Sequence, residues 1–290
     1  MDLDETLRSC SALYAQAQSI IDGELTFLRE HDVGLLVGDI PPLAFQIAAR
    51  ASIPSIAIGN FSWNWIYRAY LRDRPAFLPL IEEMETFYRK ATLALTLPYA
   101  GDMNVFAEKE SIPWVTRTSA LTKQEARARF DLPQSATVAL LSFGGLGLER
   151  LPWQKLRRLQ SYYFVATGKT PQRQGNVAIL SEAQPAYFDL VRAADIVIAK
   201  PGYGIVADVI AHQIPVLYTE RGDFPEYPNL VQALNDLTTA EFISQQDLLG
   251  GEVEPQLVRL QNRNPNWPTV ALNGAEFAAE RILALHRRSG

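Results

Sequence analysis

Apolar residues come in two rhythms along this chain, and their alternation predicts its elements. Leu7, Tyr14, Ile20, Ile21, Leu25 and Leu28 recur at helical spacing and outline one helix face ahead of any strand. Val33–Val37 is then a short apolar run closed by Gly38-Asp39-Ile40-Pro41-Pro42, the pattern of a strand buried on both faces in a parallel sheet. A helix over Leu43–Ala51, whose start tolerates the two prolines, leads to a second such run at Ser55–Ile58, completing a βαβ unit. An aromatic-rich helical region extends from Phe61 to about Lys90 with a break near Arg74-Pro75, and strands are predicted at Leu93–Leu97 and Ile112–Val115. Thr122–Phe130 reads as a helix opened by a Thr122 cap, with Glu125 at the reciprocal position of a capping box.

The rhythm restarts after Asp131-Leu132-Pro133-Gln134-Ser135. Thr137–Phe143 is a continuously apolar strand running into Gly144-Gly145-Leu146-Gly147. Strands follow at Tyr162–Ala166, Val177–Leu180, Asp195–Ala199 and Pro215–Tyr218, with helices at Ala186–Ala194 and Tyr203–His212. Residues 250–268 are polar and interrupted by proline, which predicts irregular chain, and a final helix starts at Gly274 behind an Asn273 cap. Two such series predict an α/β protein of two Rossmann-like parallel-sheet domains, 1–132 and 133–290, with the last helix, 273–288, packing back on the first.

Composition narrows the function without supplying one. A length of 290 residues suits two domains. Against 27 Lys and Arg stand 32 Asp and Glu, a net charge of -5, so the broad basic surface that nucleic-acid binding needs is missing and no such partner is expected. One cysteine, Cys10, and the scattered His31, His212 and His286 offer neither a disulfide nor a metal cluster, so no metal is expected. No apolar run is long enough for a transmembrane segment, and the acidic opening Met1-Asp2-Leu3-Asp4-Glu5 is unlike a signal peptide; the expected location is cytoplasmic.

The sharpest local chemistry is Lys200-Pro201-Gly202-Tyr203-Gly204-Ile205-Val206-Ala207-Asp208, between a predicted strand and a predicted helix. Glycines let backbone approach an anion, the helix start offers free N–H groups, and Lys200 adds a positive charge. The same glycines would equally serve a tight strand-to-helix turn with no ligand. The spacing fits a dinucleotide fingerprint, with Glu220 where its ribose-binding acid is expected, but such a fingerprint normally follows the first strand of a domain. Gly144-Gly145-Leu146-Gly147, at the end of the first strand of the same half, gives the sheet a second glycine turn where ligands bind in open α/β folds. Phe61–Tyr70, rich in aromatics, is read as core ahead of a cleft wall or a membrane patch.

The Lys200–Asp208 run resembles the donor-binding turn of GT-B glycosyltransferases of the peptidoglycan GlcNAc-transferase type, and further the glycosyltransferase-like domain of plant arabinokinases. Ser142-Phe143-Gly144-Gly145, Gly38-Asp39-Ile40-Pro41, Asn60–Tyr67, Arg221-Gly222-Asp223-Phe224 with Glu226, and Asn273-Gly274 extend the resemblance in the same order from Asp39 to Gly274. It implies a GT-B fold with two domains facing a cleft, no cofactor, and a nucleotide-sugar donor, a UDP-sugar, held by the second domain for transfer to an acceptor hydroxyl. Gly144 and Gly145 would face the diphosphate with Gly202, Tyr203 and Gly204, Asp208 would take the ribose hydroxyls, and Glu226 and Asn229 would lie near the donor sugar, unless these two merely begin an exposed helix.

Two departures follow from the same resemblance. Ile205 stands where a Thr or Ser is expected to bond a phosphate, a loss of about 1 to 3 kcal/mol if the phosphate stays buried. The family's glycine-rich loop with its histidine, near the reacting centre, would precede residue 1, so the first domain is expected to lack its first strands. Asp39 is then the candidate base, against a plain helix-capping role. Two alternatives remain open: a catalytically inactive nucleotide-sugar-binding scaffold, and an NAD(P)-dependent oxidoreductase using Gly202, Gly204 and Glu220.

Overall fold

The computed structural model describes residues 2–143, 151–182 and 186–289. In chain order the elements are α1 (Leu3–Ala15), α2 (Ala17–Glu30), β1 (Leu36–Gly38), α3 (Pro42–Arg50), β2 (Ser55–Gly59), α4 (Trp63–Arg68), a 3-10 turn (Pro75–Phe77), α5 (Leu78–Tyr88), β3 (Leu93–Thr96), β4 (Lys109–Ser111) and α6 (Lys123–Arg129). There follow β5 (Thr137–Ser142), α7 (Trp153–Leu156), β6 (Tyr162–Gly168), β7 (Gln172–Gln174), β8 (Val177–Ser181), α8 (Tyr187–Ala193), β9 (Ile196–Ala199), α9 (Tyr203–His212), β10 (Val216–Tyr218), α10 (Tyr227–Leu237), β11 (Ala240–Phe242), α11 (Gln245–Gly250), α12 (Glu254–Gln261) and α13 (Gly274–Ser289). Contacts divide the chain into two compact units, one of 1–115, 224–229 and 271–290, the other of 116–223 and 230–270.

In the first unit β1-β2-β3-β4 form a parallel sheet in that order. Its strands alternate, so Ile56 and Leu95 pack with Ile112 under Ala278, Phe277 and Ile282 of α13, while Ala57 and Ala94 pack beneath Phe45, Ile66, Ile81 and Tyr88. The aromatic stretch belongs to that second cluster: Trp63 stacks on Tyr67 and Tyr67 on Phe77. The first helical face is two helices that meet at Gln16, and it packs through Ile21 and Leu28 against Ile47 of α3. The strand expected at Ile112–Val115 sits at Lys109–Ser111 instead, because Pro113 has no N–H to add to a ladder; Val115 keeps a single bridge, to Asn273. Beside that bridge Gly274 N–H donates to Trp114 O, and a Cβ at Gly274 would stand 2.2 Å from Pro113 O, so only glycine fits.

The second unit holds a seven-stranded sheet in the order β11-β10-β9-β5-β6-β8-β7, parallel except for β7. One face buries Leu141, Phe164, Ile198 and Leu217 under α7, α11 and α12 through Leu156, Leu248 and Leu257. The alternate residues Leu140, Val165 and Val197 are fully buried on the other face, where α8 and α9 pack. The expected boundary at 132/133 falls within this unit. α6, opened by the Thr122–Glu125 capping box, is tied to α8 by Arg129 on Asp189 and to the residue before β9 by Arg127 on Asp195. Residues 250–268, expected to be irregular, contain α12; Pro255 occupies its first turn, where a missing N–H costs no intrahelical bond.

Candidate functional site

β5 and β9 are neighbours, and the strand order reverses between them: β6 and β8 lie beyond β5, β10 and β11 beyond β9. Open α/β sheets bind ligands at such a reversal, outside the carboxyl ends of the strands. β9 ends at Ala199, the chain turns through Lys200-Pro201-Gly202, and α9 begins at Tyr203. The first amide bonded within the helix is that of Val206, to Gly202 O at 3.1 Å, so the N–H groups of Tyr203, Gly204 and Ile205 stand at the positive end of α9 ahead of the ladder.

Among the described residues nothing crowds the glycines of this turn. Neither Gly202 nor Gly204 lies in the left-handed region; of the described atoms, an added Cβ at Gly204 meets none within 4 Å, and one at Gly202 meets Arg221 Nη1 at 4.0 Å. A tight turn needed only for packing would crowd those positions. Here they open onto space, and Gly204 lines a cavity of about 270 Å³ with Leu141, Ser142, Phe143, Thr167, Tyr187, Ile205 and Asp208.

Asp208 follows Gly204 by one helical turn and so shares its side of α9. Burial pushes its carboxyl up to about 6, against the pull of the Arg117 guanidinium. Arg117 itself lies over the Phe188 ring, 5.7 Å from its centre. Across the cavity Tyr187 Oη donates to Ser142 Oγ at 2.8 Å. Its phenol is raised above the usual range by burial, with the Ser142 bond opposing and the Asp208 charge adding to the rise. Lys200 is exposed beside the turn, Tyr203 is partly buried, and Arg221 Nη1 holds the turn by donating to Pro201 O at 3.1 Å.

Lys200, Gly202, Tyr203, Gly204 and Asp208 are thus brought together on one segment of the second unit. Gly144 and Gly145 lie outside the described residues. Glu220 is used by the fold: its Oε2 accepts from Gln245 N at 2.6 Å and from Thr219 Oγ1 at 2.8 Å at the start of α11. Burial would raise its carboxyl, but these bonds and one from its own amide hold it below the usual range.

Glu226, Asn229 and Asp39 belong to the first unit. Glu226 is only 2% exposed, not at an exposed helix start, and accepts from Asn60 Nδ2 at 2.6 Å; Asn229 Nδ2 donates to Ala100 O at 3.0 Å. Asp39 is exposed after β1 and caps no helix, since Pro41 is the cap residue of α3. The next residue, Ile40, has φ 54°, held by a 2.8 Å bond from Tyr88 Oη to its carbonyl. A β-branched residue in that region before a proline costs about 1 to 3 kcal/mol, the kind of strain that gathers at functional loops.

Ser142, Thr167, Tyr187 and Arg117 escaped the reading of the sequence as site residues. For Ser142 and Thr167 a signal existed, since each stands at the carboxyl end of an apolar run; nothing local marks Tyr187 or Arg117. Among the described residues no three His, Cys, Asp or Glu are grouped to hold a metal ion, and no helix is long and apolar enough to cross a membrane.

Comparison with known proteins bears on the fold. No protein-family model matches the chain. It is 25% identical over 264 residues to an L-arabinokinase of Arabidopsis thaliana, a match covering 90% of this chain and 25% of that protein, so the chain spans about a quarter of the relative's length. Among solved structures it is similar to the glycotransferase of kitacinnamycin (TM-score 0.62, 16% identity, 99% of this chain and 79% of that one). It is also similar to the glycosyltransferase VinC in complex with DTDP (TM-score 0.54, 15% identity, 100% of this chain and 79% of that one). The fold is that of the GT-B glycosyltransferases.

Proposed function

We propose that this chain binds a nucleotide-sugar donor, a UDP-sugar, in the second unit and that its chemistry is transfer of the glycosyl group to an acceptor hydroxyl. The observation that carries the reading is Gly204, a glycine with open space above it at the start of α9 on the rim of a cavity at the sheet's reversal point. In this reading the diphosphate lies against the amides of Tyr203, Gly204 and Ile205 with Lys200 beside it, Gly144 and Gly145 are assigned to the same diphosphate from the sequence resemblance alone, and Asp208 accepts from the ribose hydroxyls. The acceptor oxygen attacks the anomeric carbon, the bond from that carbon to the β-phosphate oxygen breaks, and the diphosphate leaves with the electron pair. Amides and Lys200 stabilise its charge without a metal. We assign the acceptor proton to Asp39, exposed beside a strained loop, and place Glu226 and Asn229 near the donor sugar. The likeness to VinC is one of fold alone, and its DTDP supports a nucleoside diphosphate as the first ligand to try.

Calorimetry with UDP, UDP-glucose and NAD tests this. Saturable UDP binding, lost in Gly202→Asp, is the expected outcome, and turnover of a UDP-sugar separates an active enzyme from a binding scaffold. Binding of NAD without UDP would sink the reading.

A further inference from the structure

The cavity holds a hydrogen-bond arrangement that the donor reading does not use. Ser142 ends β5 at the sheet's reversal point, and its Oγ accepts from Tyr187 Oη at 2.8 Å. A serine hydroxyl has one proton and two lone pairs. With one lone pair taken by Tyr187, its own proton remains to be given elsewhere. Asp208, on the same cavity, is the stronger acceptor for a phenol, yet the phenol is spent on Ser142 and no side-chain bond to the Asp208 carboxylate is present among the described residues. One cavity therefore presents a directed donor at Ser142 and an open acceptor at Asp208. A nucleoside diphosphate offers the complement: phosphate oxygens that only accept and ribose hydroxyls that donate.

We propose that Tyr187 is a positioning residue, which by donating to Ser142 turns the serine proton toward the diphosphate of the bound nucleotide. The inference rests on the donor reading above and adds two residues to it. In this role Tyr187 acts on the ligand's charge through Ser142, so its effect should need both the serine and the phosphates.

A double-mutant cycle on the full chain tests this by titrating UDP and uridine into wild type, Ser142→Ala, Tyr187→Phe and the double variant, with melting curves confirming the fold. A charge-assisted bond lost at Ser142 should weaken UDP binding about tenfold or more, and the phenol alone about three- to tenfold. The double variant should be no weaker than Ser142→Ala, and uridine, which has no phosphate, should bind all four proteins alike. Equal losses for uridine and UDP in Tyr187→Phe would mark a merely structural tyrosine and overturn the proposal, as would additive losses or an unchanged UDP affinity. A wild-type chain that binds no nucleotide overturns the donor reading and this inference with it, whereas wild-type UDP binding indifferent to Tyr187→Phe overturns the inference alone.

Discussion

Gly204→Ala separates a glycine kept for a ligand from one kept for the fold, because the two roles predict opposite signs. The residue is the second of α9, its φ is not left-handed, and an added Cβ meets no atom of the described residues within 4 Å. None of the described residues resists the methyl group, and alanine loses less backbone entropy in a helix than glycine. The gain is about 0.5 to 1 kcal/mol for a helix interior, and the lower end applies near a helix start. At roughly 2 to 4 °C per kcal/mol for domains of this size, the melting midpoint should rise by about 1 to 2 °C. Binding should move the other way. A methyl in the space assigned to the diphosphate forces displacement at about 1 to 3 kcal/mol, or roughly five- to 150-fold in affinity for UDP. Scanning calorimetry of the free protein and isothermal titration with UDP read both numbers on one preparation. A lowered midpoint would show that the fold needs the glycine, and a raised midpoint with unchanged UDP affinity would show that no ligand does.

Four further outcomes follow from particular contacts. Asp208 titrates at about 6, so its carboxylate is lost as an acceptor below that value. UDP-glucose, whose diphosphate keeps its charge across the range, should bind more weakly at pH 5 than at pH 7.5, and Asp208→Asn should flatten the profile; a profile unchanged by the variant would remove Asp208 from the site. The same rise means that folding takes up a proton between the usual carboxylate range and 6, so the group's stabilising contribution is lost as pH climbs through 6. Asp208→Asn should therefore stabilise the fold at pH 7.5, by at most about 2 kcal/mol after discounting for partial exposure and read as a raised melting midpoint, and the gain should shrink toward pH 4. Gly274→Ala puts a Cβ 2.2 Å from Pro113 O and 2.8 Å from the Trp114 backbone, and should cost about 3 kcal/mol or more, read as a fall in the urea midpoint. Asn176 Nδ2 donates to the carbonyls of Leu156, Leu159 and Tyr162, which fix the chain between α7 and β6; Asn176→Ala should cost about 2 to 3 kcal/mol in the same assay.

How far the sequence carried depends on what each element buries. β2, β3, β5, β6, β8 and β9 are apolar on both faces and stand out as runs bounded by turns. Two of the edge strands do not: Lys109-Glu110-Ser111 of β4 and Gln172-Arg173-Gln174 of β7 are polar, pair on one side only and carry no periodic apolar signal. α12 was hidden by Pro255, which breaks a helix interior but not a first turn. The site divides in the same way. Its phosphate end is one continuous segment, Lys200–Asp208, and is legible because a single strand-to-helix turn supplies the glycines, the helix-start amides and the acid. Its other wall is assembled from the ends of β5 and β6 and the first residue of α8, which are far apart in sequence and meet only because β6, β5 and β9 are adjacent in the sheet.

That difference sharpens what the glycine turn means. From spacing alone, Gly202-Tyr203-Gly204 fits a packing turn, a dinucleotide fingerprint and a nucleoside-diphosphate site equally. The open space at both glycines argues against packing, and the engagement of Glu220 at α11 leaves the dinucleotide arrangement without its acid. What remains is a helix start facing a cavity whose opposite wall offers Ser142 and Tyr187, so the ligand must satisfy both walls at once. A phosphate alone would engage the helix start and Ser142 and leave Asp208 unsatisfied. A nucleoside alone would leave the α9 amides facing water. Only a ligand carrying both parts uses the whole cavity, so affinity should rise from phosphate or uridine to UDP by more than either fragment's contribution suggests.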